Sequence, residues 1–282
     1  MICGCDLDTL PAAWVAARLK GIKVVYDAHE YFTESPELVG RRMVQNCWLM
    51  IEKFLVPKMD VAYTVTDSIA ELFQKKYNKH FDVIRNIPYY SEPVVRTTTE
   101  KYILYQGAVN VGRGVKEMLL VMLQLEGIQF YVAGDGDCLE EIKDLVREYK
   151  LDAKVKLLGK LPPDQLKTVT DNAYLAVNLL ENRGLNYYYS LGNKFFDYIQ
   201  SQVPQVSIAF PEYIRINDQY HIAEMVDEMI IGKIAAAFRN VLDDKNRYAE
   251  LKQNCAVAAK ELCWENEEQK LIVLYQNLLA NG

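Results

Sequence analysis

Short β-branched and aromatic runs alternate with helical stretches along almost the whole chain, and this alternation limits the fold more than any other feature. Lys23–Asp27, Val61–Val65 and Phe81–Arg85 read as strands, each closed by polar residues. Helical segments separate them, such as Leu10–Lys20 and Ser68–Tyr77. Strand, helix, strand in this rhythm is the mark of a parallel sheet with crossover helices. Met1–Asp6 reads as the end of a further strand, so about four strands precede a polar, proline-bearing stretch, Ser91–Glu100, that breaks the pattern and reads as a linker. A second series follows, with strands at Tyr102–Gln106, Ile128–Ala133, Val155–Leu158, Leu175–Leu179 and Gln205–Ala209, and helices at about 114–126, 138–150, 163–171 and 193–202. Five strands with crossovers make a complete doubly wound domain. From Ile234 the chain is helical, and Trp264 marks a break before a last helix, Glu265–Leu279.

The expected organisation is therefore α/β, with two Rossmann-type doubly wound parallel-sheet domains. Residues 1–95 form a partial first domain and 96–264 a second one. Residues 265–282 form a C-terminal helix. The 282 residues, half of them apolar, suffice for two cores. Net charge is −6, and residues 1–95 carry 11 basic and 12 acidic side chains, so neither part has the basic excess of a nucleic-acid binder. None of the six cysteines forms a C-x-x-C pair, which favours buried free thiols in a reducing cytoplasm. Cys3 and Cys5 have no second Cys/His pair to complete a metal site, so no metal is expected. There is no basic, then apolar, leader at the start, and no run approaches the roughly 20 apolar residues of a membrane span.

In open α/β sheets ligands bind beyond the carboxyl ends of the strands. The candidate residues at those ends are Asp6, Asp8, His29, Glu30, Asp67 and Asn86 in the first part, and Gly107, Arg113, Gly134, Asp135, Gly136, Glu181, Asn193, Lys194 and Asp197 in the second. His29 is the one histidine of three placed where chemistry is expected, able to move a proton or bind a sugar hydroxyl. The glycines of Tyr105–Gly114 let backbone approach a phosphate, and Arg113 can grip its oxygens. Val132–Cys138 lacks the third glycine of a dinucleotide fingerprint, since Leu139 stands there, which argues against NAD. Asp135-Gly-Asp137 and Asp6-Leu-Asp8 both spell D-x-D, a short match that occurs by chance, and Asp137 reads as a helix N-cap.

The most informative stretch is Asn186–Gln200, an aromatic, polar loop opening a helix. Asn193 and Lys194 lie at the helix mouth and Asp197 one turn in. Unpaired amides and the positive dipole end suit a diphosphate, Lys194 adds a cation, and Asp197 adds an acceptor for sugar hydroxyls. Tyr187–Tyr189 can stack on sugar rings or pack beside the cleft. Leu38–Val56 is an amphipathic helix bearing Arg41, Arg42, Trp48, Ile51 and Leu55, read as a core-facing stripe with membrane-surface contact as the alternative.

Five pieces in this order and spacing carry a resemblance. They are Asp6–Leu10, Val25–Glu30, Gly107 with Arg113-Gly114, Gly134–Gly136, and Gly192–Tyr198. Over almost its whole length the chain resembles glycosyltransferase family 4, which has the GT-B fold of two Rossmann-type domains facing a cleft. The resemblance implies transfer of a sugar from a UDP- or GDP-linked donor to a glycan or lipid-linked acceptor, in cell-surface polysaccharide biosynthesis, with retention and without an essential metal or cofactor. It implies a cytoplasmic enzyme, with peripheral contact at the inner membrane face as an option.

Gly107, Arg113, Asn193 and Lys194 would bind the donor diphosphate. Asp197, Gly134, Asp135, Gly136 and Lys160 would bind its ribose and base, with Asp197 at the second acidic position of the family's E-x7-E pattern. His29, Glu30 and Asp6 would face the acceptor as catalytic groups. Tyr189 occupies the first acidic position, Gly192 stands where many members have proline, and Cys5 stands where a histidine is common. The family's N-terminal glycine-rich loop has no counterpart, which implies an N-terminally truncated chain. A sugar-nucleotide-binding subunit without catalysis, or a nucleotide-sugar epimerase of the same fold, are the competing expectations.

Overall fold

The computed structural model describes residues 1–92, 94 and 97–280. Pro93, Val95 and Arg96 of the expected linker lie outside the described residues, as do Asn281 and Gly282. Two compact units are present.

The first unit comprises Met1–Asn86, Asn182–Leu191 and the chain from Trp264 onward. Its sheet has four parallel strands in chain order, β1 (Ile2–Cys5), β2 (Val24–Ala28), β3 (Val61–Thr64) and β4 (Asp82–Val83). Helices α1 (Asp6–Lys20), α2 (Arg42–Leu55) and α3 (Asp67–Tyr77) connect them. All five residues of β2 are buried, as a central strand covered on both faces requires. Alternate residues serve different layers. Tyr26 packs with Leu7, Leu10, Ile69, Phe73 and Phe81 on one face. Val25 and Tyr63 meet Leu278 of the terminal helix α12 (Trp264–Ala280) on the other. Glu267 of α12 also accepts the Arg85 amide at 2.9 Å.

The loop after β2 is held by a buried carboxylate. Glu52 of α2 is fully enclosed. It accepts from Lys76 Nζ at 2.7 Å, from Thr33 Oγ1 at 3.0 Å and from the Tyr77 hydroxyl. Thr33 thus ties the segment following His29 and Glu30 to α2 and α3.

The second unit comprises Ile87–Glu181 and Gly192–Cys263. Its six strands are β5 (Tyr102–Gln106), β6 (Gln129–Ala133), β7 (Val155–Gly159), β8 (Leu175–Asn178), β9 (Gln205–Ile208) and β10 (Ala223–Val226). They are parallel and lie in the order β10-β9-β8-β5-β6-β7. The order is that of a doubly wound sheet, whose direction of winding reverses between β5 and β8. Ile103, Tyr105, Phe130 and Val132 face α4 (Val115–Met122) and α10 (Ile231–Leu242). Tyr102, Leu104 and Tyr131 face the other way, with Tyr198 of α8 (Asn193–Gln200). The second unit's remaining helices are α5 (Leu139–Glu148), α6 (Pro163–Asp171), α9 (Pro211–Tyr220) and α11 (Lys245–Glu261), while α7 (Leu185–Tyr188) lies in the Asn182–Leu191 segment of the first unit.

Several expectations need revision. The second sheet has six strands, not five, because α9 and β10 extend it by one more crossover. The first unit's opening segment ends at Asn86 rather than at 95, and Ser91 and Thr97 are tied to the second unit, their amides donating to Gln200 Oε1 at 3.0 Å and Asn172 Oδ1 at 2.8 Å. Helix α1 starts at Asp6, whose φ of 59° makes the sharp turn out of β1. The N-cap of α5 is Cys138, not Asp137, whose amide is taken by Asn110 Oδ1 at 3.1 Å. Three cysteines, Cys3, Cys5 and Cys47, are exposed rather than buried. Among the described residues no helix is long and apolar enough to cross a membrane.

Removing a buried charge's partner costs about 3–5 kcal/mol. Lys76→Met, which leaves the enclosed Glu52 carboxylate without its cation, is therefore expected to lower stability by about that amount, measured as a fall in the urea midpoint followed by circular dichroism.

Candidate functional site

At the carboxyl end of the second sheet, the loops after β5 and β6 are joined backbone to backbone. Gly107 N donates to Ala133 O at 3.0 Å and Val109 N to Asp135 O at 2.9 Å. A Cβ on Gly134 would lie 1.8 Å from Gly107 O, and one on Gly136 would lie 2.3 Å from Asn110 Oδ1, so both positions admit glycine alone without displacement. The Asp135 carboxylate accepts the Gly136 amide at 2.8 Å and shapes its own loop. Gly107, Gly134, Asp135, Gly136 and the exposed Lys160 line one open cavity of about 720 Å³.

Across the winding reversal the loop after β5 meets the chain leaving β8. Glu181 N donates to Gly112 O at 2.8 Å. Gly114, at φ 80°, caps α4, and a Cβ there would lie 2.5 Å from Leu179 Cβ. This close approach sets Arg113 beside the mouth of α8. Gly192 is the N-cap of α8 without a side-chain cap, and Asn193, its first residue, is exposed. Lys194 follows, its Nζ 4.2 Å from the centroid of the Tyr105 ring. Burial, and secondly the charge of Arg113, lower its pKa from 10.5 to about 7. Two cations thus stand near each other at a helix mouth, an arrangement that favours an anion between them.

Asp197, three residues on, points to a different cavity. Its Oδ2 accepts from Gln106 Nε2 at 2.7 Å, and Gln106 Oε1 accepts from Thr170 Oγ1 at 2.7 Å. Burial raises its pKa to about 6 against the opposing hydrogen bond from Gln106. Asp197, Gln106, Lys167, Tyr89 and Tyr90 line a cavity of about 420 Å³. Leu166 borders both this cavity and the one at Gly134. Arg113 lines a smaller one of about 200 Å³ with Gly112, Gly114 and Glu181. The structure therefore brings Arg113 and Lys194 together, groups Gly107 with Gly134–Gly136 and Lys160, and leaves Asp197 on a separate but adjoining wall.

In the first unit the ends of β1 and β2 converge. Asp6 Oδ1 accepts the His29 amide at 2.9 Å. His29 Nε2 lies 3.1 Å from Asp27 Oδ2, and that hydrogen bond raises the histidine pKa. Burial raises the pKa of both Asp6 and Glu30. Asn186 Nδ2 donates to Glu30 Oε2 at 2.9 Å while Asn186 Oδ1 accepts the Tyr31 amide at 3.0 Å. These three groups form a local cluster able to hold or move a proton.

Sequence reasoning missed three supporting residues, namely Asn186, Asp27 and Gln106. It placed the loop holding Asn186 with the donor side, whereas Asn182–Leu191 belongs to the first unit. Tyr189 packs on that unit's core. Gln106, the only polar residue of buried β5, was the one available signal for its role.

Two parallel-sheet units, the second with a doubly wound strand order and a cationic helix mouth at its switch point, define a GT-B glycosyltransferase architecture. Sucrose-phosphate synthase from Thermosynechococcus elongatus superposes with a TM-score of 0.76 at 19% identity, covering 96% of this chain and 72% of that one. HepE of Anabaena in complex with UDP gives 0.79 at 11% identity, with 96% and 77% covered. WaaG, a glycosyltransferase involved in lipopolysaccharide biosynthesis, gives 0.67 at 13% identity, with 93% and 81% covered. Residues 88–260, more than half of the 282, match the family described as glycosyl transferases group 1. The chain belongs to that family and is a glycosyltransferase. No curated protein sequence matches it.

Because the folded pKa of Asp197 lies near 6 rather than 3.8, its ionisation opposes folding. The penalty is absent below pH 4, grows as pH rises from 4 to 6, and is complete above that. Asp197→Asn is expected to be more stable than the wild type by about 1–3 kcal/mol at pH 7.5, the gap closing by pH 4, as read from urea unfolding at both pH values.

Proposed function

We propose that the chain moves a sugar from a UDP- or GDP-linked donor to a glycan or lipid-linked acceptor in cell-surface polysaccharide biosynthesis, with retention of configuration and without a metal ion or cofactor in the transfer. The carrying observation is the pair Arg113 and Lys194 at the mouth of α8, where burial first and the charge of the neighbouring arginine second lower the lysine pKa. As the sugar–phosphate bond breaks, positive charge builds on the sugar and negative charge on the leaving diphosphate. Fixed donors and cations aimed at the growing charge lower the barrier, each such contact typically by about 2.7–4 kcal/mol.

The nucleoside lies against Gly134–Gly136 and Lys160, whose glycines allow close contact with backbone. Asp197 takes the ribose hydroxyls, and Asn193 adds a donor at the helix mouth. On the acceptor side, His29 has Asp27 behind it, a pairing that keeps the imidazole oriented and more basic. Glu30 and Asp6 complete that side. The enzyme works in the cytoplasm and rests against the inner membrane face through α2, whose Met43, Met50 and Phe54 are exposed next to Arg41, Arg42 and Lys53.

One observation favours a second reading. Tyr189, where the family pattern has its first acidic residue, is partly buried against the first unit's core and offers no carboxylate. A subunit that binds the donor without transferring sugar would bind UDP or GDP and yield neither transfer nor donor hydrolysis.

Lys194→Ala tests the first reading, with turnover expected to fall by roughly 10²–10³-fold. A loss under about threefold overturns the assignment, since a removed transition-state contact costs far more. The pH dependence provides an independent check. Lys194 is charged below about pH 7 and neutral above it, and only the charged form attracts a diphosphate. UDP or GDP binding measured by calorimetry is expected to weaken as pH rises from 7 to 9, with proton uptake on binding. Both effects vanish in Lys194→Ala.

A further inference from the structure

The first sheet carries two thiols that the transfer reaction does not use, beside the Asp27 carboxylate that backs His29. Cys3 and Cys5 sit two residues apart on β1, so their side chains leave the same face of the sheet. In the parallel register Cys5 lies beside Asp27 and Cys3 beside Val25, which puts the Asp27 carboxylate on that face as well. The two thiols and one Asp27 oxygen all lie within 4.8 Å of one another, and Cys5 Sγ is 4.0 Å from Asp27 Oδ2. A tetrahedral zinc ion with Zn–S bonds of about 2.3 Å holds its ligands roughly 3.3–3.8 Å apart. Closing the three groups onto an ion shortens their separations by no more than about 1.5 Å.

The surroundings fit an ion more closely than they fit a pair of idle thiols. Both cysteines are exposed, so an ion has access. Asp27 is almost buried and is fixed from two sides, by the Tyr63 hydroxyl at 2.9 Å and by His29 Nε2 at 3.1 Å, both on Oδ2. A ligand carboxylate held by outer hydrogen bonds is the usual construction around a bound metal, and Oδ2, the atom they hold, is also the one 4.0 Å from Cys5 Sγ. Two sulfurs and one carboxylate select a thiophilic, tetrahedral ion over magnesium or calcium, which prefer six or more oxygens.

We propose that Cys3, Cys5 and Asp27 form a binding site for a zinc-class divalent cation, with His29 and Tyr63 positioning the carboxylate and a water completing the coordination. The ion spans the edge strand β1 and its neighbour β2, and so clips the outer strand of the first sheet in place. Both thiols lose their protons on binding, and the two thiolates with the carboxylate more than neutralise the ion.

Cobalt, then zinc, titrated into the chelator-treated full chain tests the site. One cobalt per chain is expected, with the thiolate-to-metal charge-transfer absorption of a sulfur-bound ion, displaced by zinc. Cys3→Ser with Cys5→Ser should abolish the band and weaken binding at least about 100-fold, while Cys47→Ser leaves both intact. His29→Gln should keep the band but weaken affinity about 10–100-fold, as loss of an outer partner does. Zinc should also slow iodoacetamide labelling of Cys3 and Cys5 in the wild-type chain, a reading that needs no variant. A wild-type chain with no charge-transfer band, equal affinity in the double serine variant, or unchanged labelling of both thiols overturns the proposal.

Discussion

The glycine contact between the loops after β5 and β6 is the constraint on which the donor-side architecture depends. Gly107 and Gly134 touch through their backbones, so the carboxyl ends of both strands finish at one level and in one orientation. The last two residues of β5 then become supports for α8. The Tyr105 ring lies under the Lys194 ammonium, and the Gln106 amide holds the Asp197 carboxylate. Lys194 and Asp197 are three residues apart on one helix, and each is fixed by one of two adjacent strand residues. A methyl group on Gly134 would push the loops apart, and both supports would shift together.

Burial acts in opposite senses on the two α8 groups and leaves both near neutrality. Lys194 falls to about 7 because burial and Arg113 disfavour its charge, and Asp197 rises to about 6 because burial disfavours its own. Neither group is paired with the other. Each is instead poised for a ligand that restores its favoured state, an anion for the lysine and hydroxyl donors for the carboxylate. Unpaired titratable groups cost stability, which is the ordinary condition of a site shaped for binding.

Much of the architecture was legible because parallel strands buried on both faces write themselves as apolar runs, and β2 and β5 are such runs apart from Asp27 and Gln106. Edge elements write more faintly. β10 is Ala-Glu-Met-Val with two partly exposed residues, and the helix before it is rich in polar side chains, so neither shows a clear period. The pieces that depend on distant partners could not be read at all. Asn186 bonds Glu30 across 156 residues, and no local pattern announces such a link. The Cys3, Cys5 and Asp27 grouping escaped for the same reason, since its third member comes from the neighbouring strand and not from a second cysteine pair.

The excursion of Asn182–Leu191 into the first unit has a topological consequence. The polypeptide passes from one unit to the other after Asn86, Glu181, Leu191 and Cys263. Each unit is therefore assembled from segments that are discontinuous along the gene. No single cut, fusion junction or exchange of a contiguous half can lift one unit out whole. A chimaera built at residue 86 alone would inherit a loop and a terminal helix matched to somebody else's sheet. Recombination that respects this protein must treat the ten-residue excursion and the final helix as part of the first unit's inheritance.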